Sequence, residues 1–238
     1  RWHVESGTAG IVPMGTTGES ATLNTHEHLE VISRTIQLAN GRISVVAGTG
    51  SNSTEGTLHQ TKEAESLGAD ACLLVTPYYN RPTQEGLYAH FKKVAETTSV
   101  PLVLYNVPGR TGCDLLPETI GRLSSIEGIV GIKEASGKIE RVSEIRSVSA
   151  SDFFILSGED ALTLEMMNNG AVGTISVTAN VLPKAMAEFC DSFLSGNIKR
   201  ASAIDEVLQS VHEILFIESN PTPAKWALHQ MGIIHEGI

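Results

Sequence analysis

Seven short apolar runs, separated by longer polar or amphipathic stretches, constrain the fold of this 238-residue chain more than any other feature. The runs are Gly10–Gly15, Ser44–Gly50, Ala71–Pro77, Leu102–Pro108, Ile129–Ala135, Phe153–Glu159 and Val172–Thr178. In Ala71-Cys72-Leu73-Leu74-Val75 no polar residue alternates with the apolar ones. A strand with one wet face would alternate; a strand covered on both faces need not, and such strands belong to parallel sheets flanked by helices. The intervening stretches fit that role. His28–Ala39 places Leu29, Ile32, Ile36 and Leu38 largely towards one side, and Thr54–Leu67 and Gly86–Thr97 behave similarly. Asn24-Thr25-His26-Glu27 reads as a capping box ahead of the first of these helices.

Successive strand–helix units without a linker or a shift in composition predict a single (β/α)8 barrel. A doubly wound open sheet is the alternative, and it normally carries a glycine-rich phosphate loop after its first strand. Gly48-Thr49-Gly50-Ser51-Asn52 comes nearest but lacks the third glycine, so it reads as a turn. Seven runs are one short of eight. Arg1–Ser6 reads as the end of a helix, so the expectation is a barrel lacking its first strand in this chain. Residues 1–180 would form this N-terminally truncated barrel. Residues 181–238 would form a C-terminal helical extension, with helices at Leu182–Leu194, Ile198–Phe216 and Pro223–Met231.

Seventeen basic against 27 acidic residues leave a net charge of −10, which disfavours nucleic acid or an anionic membrane as a partner. With 41% hydrophobic and 18% charged residues the chain suits a folded core rather than disorder. No apolar run approaches the roughly 18 residues that a membrane span needs. Nothing near Arg1 resembles a signal peptide, so a cytoplasmic location is expected, with plastid targeting left open. Cys72, Cys113 and Cys190 form no C-x-x-C pair and read as small hydrophobes rather than disulfide or zinc residues. His26 and His28 are two apart at a helix start and do not face one another, so no metal or other cofactor is expected. His59, His90, His212 and His229 fall in helical stretches and read as surface or packing residues.

In a barrel the carboxyl ends of the strands carry the chemistry. The polar residues there include Thr16 and Thr17, Thr49 and Asn52, Thr76, Tyr78 and Tyr79, Tyr105, Asn106 and Arg110, Lys133 and Glu134, and Ser157 to Glu159. Of eight lysines only Lys133 lies inside a strand, where alternation puts it on a face with Ile129 and Gly131, opposite Val130 and Ile132. Burial there would disfavour the charged ammonium and free a neutral amine for Schiff-base chemistry. The structural alternative is an ion pair with Glu134 or Glu159. Tyr105 is either a phenol for proton transfer or a core aromatic. Gly15-Thr16-Thr17-Gly18-Glu19-Ser20 is either a carboxylate cradle of hydroxyls and backbone N–H groups or an ordinary loop. Arg110 offers a fork for a second carboxylate, or pairs at the surface.

Five segments occur in one order: Gly15-Thr16-Thr17-Gly18-Glu19, Tyr78-Tyr79-Asn80, Tyr105-Asn106-Val107-Pro108-Gly109-Arg110-Thr111-Gly112, Ile132-Lys133-Glu134-Ala135 and Asn220-Pro221-Thr222-Pro223-Ala224-Lys225. Together they resemble the dihydrodipicolinate synthase and N-acetylneuraminate lyase family of pyruvate aldolases, from about Thr8 to Gly232. Thr16-Thr17, Tyr79 and Arg110 favour the synthase branch. The resemblance implies a lyase of lysine and diaminopimelate biosynthesis that condenses pyruvate with L-aspartate-4-semialdehyde. Lys133 would form the imine, and Tyr105, Thr17 and Tyr79 would relay protons, Tyr79 from a neighbouring subunit of a homodimer or homotetramer. Thr16 and Thr17 would hold the pyruvate carboxylate, Arg110 the semialdehyde carboxylate, and Gly158 and Ile175 would line the pyruvate pocket. Ser20, Ala21, His28, Asn52 and Tyr78 match a lysine-effector cleft. Thr25 and Gly56 replace the histidine and glutamate often found in lysine-sensitive members, which implies weak or absent inhibition. A sugar-acid lyase and a non-catalytic relic are the competing readings.

Overall fold

A computed structural model describes residues 1–237. The six strands are β1 (Gly10–Ile11), β2 (Ser44–Gly48), β3 (Ala71–Val75), β4 (Leu102–Asn106), β5 (Ile129–Glu134) and β6 (Phe154–Ser157). All neighbouring pairs are parallel and the sheet order follows the chain order, so each strand lies beside the next. Val12 just after β1 and Ile175, 18 residues beyond β6 but bonded to the Ser157 carbonyl at its end, share one apolar cluster with Leu73, Val103, Tyr105 and Phe154. Residues from the two ends of the sheet therefore meet, and the sheet is curled. Helix α1 (Trp2–Glu5) precedes the strands, and α2 (Thr25–Ala39), α3 (Thr54–Leu67), α4 (Gln84–Ala95), α5 (Pro108–Thr111), α6 (Pro117–Leu123), α7 (Glu140–Val148) and α8 (Thr163–Asn168) separate or follow them. Helices α9 (Pro183–Leu194), α10 (Ile198–Ile214) and α11 (Thr222–Gln230) come after the sheet.

The outer face of the sheet and the helices enclose the main core, which includes Ile32, Leu74, Phe91, Leu104, Ile132, Ile145 and Phe189. Helix α2 begins on the expected capping box: Asn24 Oδ1 accepts from the Glu27 N–H, and Glu27 Oε2 accepts from the Asn24 N–H, both at 3.0 Å. Its buried side is His28, Ile32 and Ala39; Leu38, assigned to that side from the sequence, is 64% exposed. His28 replaces it inward by hydrogen-bonding through Nε2 to the Gly48 carbonyl at 2.7 Å.

Three strand expectations change. The Gly10–Gly15 run is a strand only at Gly10 and Ile11, since Pro13 has no N–H to pair and Met14 takes a left-handed φ of 60°. Within Val172–Thr178 only Thr174 pairs, in an isolated bridge to Ser157. Val172 and Ile175 still donate to the Ile155 and Ser157 carbonyls of β6, and only the end of the run is drawn into turn geometry: Asp160 Oδ2 accepts from the Val177 and Thr178 N–H groups, and Ser176 Oγ accepts from the Ala179 N–H. In β5 the assumed alternation fails at its start. Leu102 pairs with Ile129 but Val103 pairs with Gly131, so Val130 is an extra residue. This bulge turns Val130 inward beside Val103 and Lys133 while Ile129 joins the outer core. Gly131 faces the Phe154 ring, where a Cβ would approach within 2.4 Å.

Cys72 and Cys113 are buried free thiols and Cys190 is half-buried. Burial pushes the Cys72 thiol up to about 11 and Cys190 up to about 12, so neither is a ready nucleophile. His90 is a buried packing residue: its ring meets Phe91 edge-on at 5.0 Å, and Nδ1 bonds to Thr54 Oγ1 at 2.8 Å. Burial lowers its pKa from 6.5 to about 4. Between those values the unfolded chain takes up a proton that the folded chain refuses, so stability falls as pH drops from 6.5 towards 4. The expected loss is at most about 3 kcal/mol. Urea unfolding across that range checks it: His90→Leu is expected to flatten the pH slope whatever its absolute stability.

Candidate active site

Lys133 sits next to last in β5, directly across from Tyr105 in β4. That register brings the Lys133 ammonium over the Tyr105 ring, 4.4 Å from its centroid. Both side chains point into the curl, where they line a cavity of about 920 Å3. The sequence reading had Lys133 enclosed; it is half-buried, because its end opens into this space. Among the described residues no carboxylate lies within ion-pair distance of it. Gly158, which follows β6, makes room for the lysine: a Cβ there would stand 2.9 Å from Lys133 Cε and 2.7 Å from Ala135 Cβ.

Thr16, Thr17, Arg110, Gly158, Glu159 and Ile175 line the same cavity. The turn holding Thr16 and Thr17 is closed by the Glu19 N–H donating to the Thr16 carbonyl at 3.1 Å. Arg110 is exposed on short α5 and has no carboxylate partner among the described residues. The site therefore combines an unpaired lysine, an unpaired arginine, a phenol and two hydroxyls around one space. Burial raises the Glu159 carboxyl above its ordinary range, while the charges of Lys133 and Arg110 pull it back down.

Glu134, the other carboxylate near Lys133 in the sequence, faces away from the cavity. It is 1% exposed, accepts from the Ser136 N–H at 2.7 Å and from Asn106 Nδ2 at 3.2 Å, and burial raises its pKa. Asn106 Nδ2 also donates to Asp114 Oδ1, and Arg141 grips Asp114 through Nη1 and Nη2 at 2.9 and 3.0 Å. Burial opposes ionisation of Asp114, but the bonds from Arg141 and Asn106 outweigh it and hold the carboxyl below its usual value. This network underlies the ends of β4 and β5 and so fixes where Tyr105 and Lys133 emerge. Arg141 and Asp114 were not singled out in the sequence; the signal was an arginine beside Val142 on the inward side of α7.

Other candidates are separate from the cavity. Thr49, Thr76 and Ser157 are fully buried and bond within the fold, to Thr61, Thr111 and the Glu159 carbonyl respectively. Tyr79 does not line the cavity of its own chain; it is 90% exposed with a left-handed φ of 73°, a conformation uncommon outside glycine. Ser20, Ala21, His28, Asn52 and Tyr78 also lie outside the cavity. Asn80 Nδ2 ties its loop to the Asn52 carbonyl at 2.9 Å, while His28 is buried on Gly48. Asn220, unassigned in the sequence reading beyond its motif, lines the cavity from the segment before α11.

The model of the dihydrodipicolinate synthetase family matches residues 1–237. The chain belongs to the dihydrodipicolinate synthetase family. A family relative, the 4-hydroxy-tetrahydrodipicolinate synthase of Methylococcus capsulatus, is 56% identical over 237 residues, covering 100% of this chain and 81% of the relative. The crystal structure of the chloride-inhibited dihydrodipicolinate synthase from Acinetobacter baumannii complexed with pyruvate superimposes with a TM-score of 0.97 at 51% identity, over 100% of this chain and 81% of that one. The dihydrodipicolinate synthase of Aquifex aeolicus gives a TM-score of 0.98 at 44% identity, with the same two coverages of 100% and 81%. The curled parallel sheet of this chain is thus the sheet of the dihydrodipicolinate synthetase family.

Proposed function

We propose that this chain is a lyase that condenses pyruvate with L-aspartate-4-semialdehyde through an imine on Lys133, in lysine and diaminopimelate biosynthesis. The observation that carries the reading is the unpaired Lys133 amine held over Tyr105 in the cavity that Thr16, Thr17 and Arg110 share. The free amine attacks the ketone carbon, and water leaves as the C=N bond forms. Loss of a proton from the pyruvate methyl gives an enamine, whose carbon adds to the aldehyde of the second substrate. Attack by the semialdehyde amine on the imine carbon closes the ring and releases Lys133. Each step moves a proton, and on this reading the hydroxyls of Tyr105 and Thr17 carry it. The exposed Tyr79 would complete the relay in a neighbouring subunit of a homodimer or homotetramer. Thr16 and Thr17 bind the pyruvate carboxylate, Arg110 the other carboxylate, and Gly158 and Ile175 shape the pyruvate pocket.

The fold is read as an arc of a (β/α)8 barrel within residues 1–180, its first strand not among them, with residues 181–238 as C-terminal helices. The protein is read as cytoplasmic. Borohydride reduction with pyruvate, followed by peptide mass spectrometry, tests the function. A reduced pyruvyl adduct on Lys133 supports it, and a folded sample without one overturns it. Product formation with aspartate semialdehyde, set against sugar aldehydes, tests the acceptor.

For the effector cleft the reading is that Ser20, Ala21, His28, Asn52 and Tyr78 hold lysine poorly. Gly56 offers no carboxylate to the lysine ammonium and Thr25 offers no imidazole. The expected result of a lysine titration is little loss of activity; strong inhibition at sub-millimolar lysine would refute it.

A further inference from the structure

Asn220 stands 203 positions from Thr17, yet its Nδ2 donates to Thr17 Oγ1 at 3.0 Å. Its backbone carbonyl accepts from Arg110 Nη2 at 3.3 Å, so one residue touches both the relay hydroxyl and the carboxylate-binding arginine. Its side chain belongs to a residue only 6% exposed, and its buried Oδ1 has no hydrogen-bond partner among the described residues. A second tie keeps the same segment in place: Lys225 Nζ meets both carboxylate oxygens of Glu19, at 3.0 and 3.2 Å, beyond the Thr16-Thr17 turn.

A hydroxyl has one proton to give and two lone pairs to receive. When Asn220 fills a lone pair of Thr17, the Thr17 proton points elsewhere, and Thr17 itself lines the cavity. We propose that Asn220 is a positioning residue that orients the Thr17 hydroxyl, so that its proton faces the reacting groups. An asparagine suits this role because its amide donates without carrying charge. An ionised aspartate of the same shape can only accept. It would draw the Thr17 proton out of the relay and set a negative charge beside the pyruvate carboxylate site.

The inference rests on the proposed imine chemistry, and the test separates the two. Steady-state kinetics, borohydride trapping with pyruvate and thermal midpoints are compared for the unaltered protein, Asn220→Asp, Asn220→Ser, Thr17→Val and the Asn220→Ser/Thr17→Val double variant. The expected result for Asn220→Asp and Asn220→Ser is a kcat lowered by about tenfold or more. The Lys133 adduct still forms, and the midpoint stays near that of the unaltered protein. Asn220→Ser, smaller and uncharged, carries the test if the aspartate variant does not fold. The double variant is expected to lose no more than Thr17→Val alone, since both changes remove one function. A normal kcat in both Asn220 variants, or fully additive losses in the double variant, overturns the positioning role and leaves the imine reading standing. No adduct on the unaltered protein overturns both.

Discussion

Lys133→Arg is expected to abolish synthesis, lowering kcat/KM on the order of a thousandfold or more, because among the described residues no other lysine lines the cavity to form the imine. Arginine keeps the positive charge over Tyr105 but is not deprotonated in proteins, so it cannot attack a ketone. The variant therefore separates charge from nucleophilicity. Lys133 is half-buried and has no ion pair to break among the described residues, so its replacement is expected to leave the thermal midpoint within a few degrees. Rate assays, borohydride trapping and a melting curve on one preparation check all three statements. Retained activity without an adduct would rule out Lys133 as the nucleophile.

The largest loss of stability is expected for Arg141→Met. Arg141 is 4% exposed and supplies two hydrogen bonds to Asp114, one to the Leu115 carbonyl and one to Glu144. Methionine fills much of the same space but leaves the Asp114 charge, half-sunk in the fold, with the Asn106 amide as its remaining side-chain donor. Breaking one side of such a pair costs about 3 kcal/mol or more. For a chain of this size that corresponds to a midpoint lowered by roughly 6–12 °C. Adding Asp114→Asn to Arg141→Met removes the orphaned charge and is expected to restore part of the loss. If the double variant melts no higher than the single one, packing of the arginine stem rather than the charge is what stabilises the site.

The parallel layout was legible because a strand covered on both faces needs near-continuous apolar residues, and β3 and β4 have them. Lys133 stood out for the same reason, as the one lysine in such a run. The bulge at Val130 was not legible: an extra residue in a strand changes which way side chains point without changing composition. The turn at the end of Val172–Thr178 was set by Asp160, whose carboxylate takes the Val177 and Thr178 N–H groups from outside the run. Asn220 illustrates the limit most clearly. Its motif could be read as a marker, but its bond to Thr17 joins opposite ends of the chain, and no local pattern records that.

The ties from Asn220 to Thr17 and from Lys225 to Glu19, 203 and 206 positions apart, also bear on how the molecule comes to be. The strands pair with their sequence neighbours and close short loops; these two ties close nearly the whole chain. On a ribosome the sheet can assemble while the Thr16-Thr17 turn still lacks its clamp, until the segment around Asn220 has emerged. Hydrogen exchange during refolding is expected to protect the amides of β3 to β5 before that of Glu19, which bonds to the Thr16 carbonyl; the reverse order would contradict it. On that order the wall of the sheet forms early and the clamp on Thr17 last, so a half-made molecule would hold Lys133 in place before the segment around Asn220 reaches it.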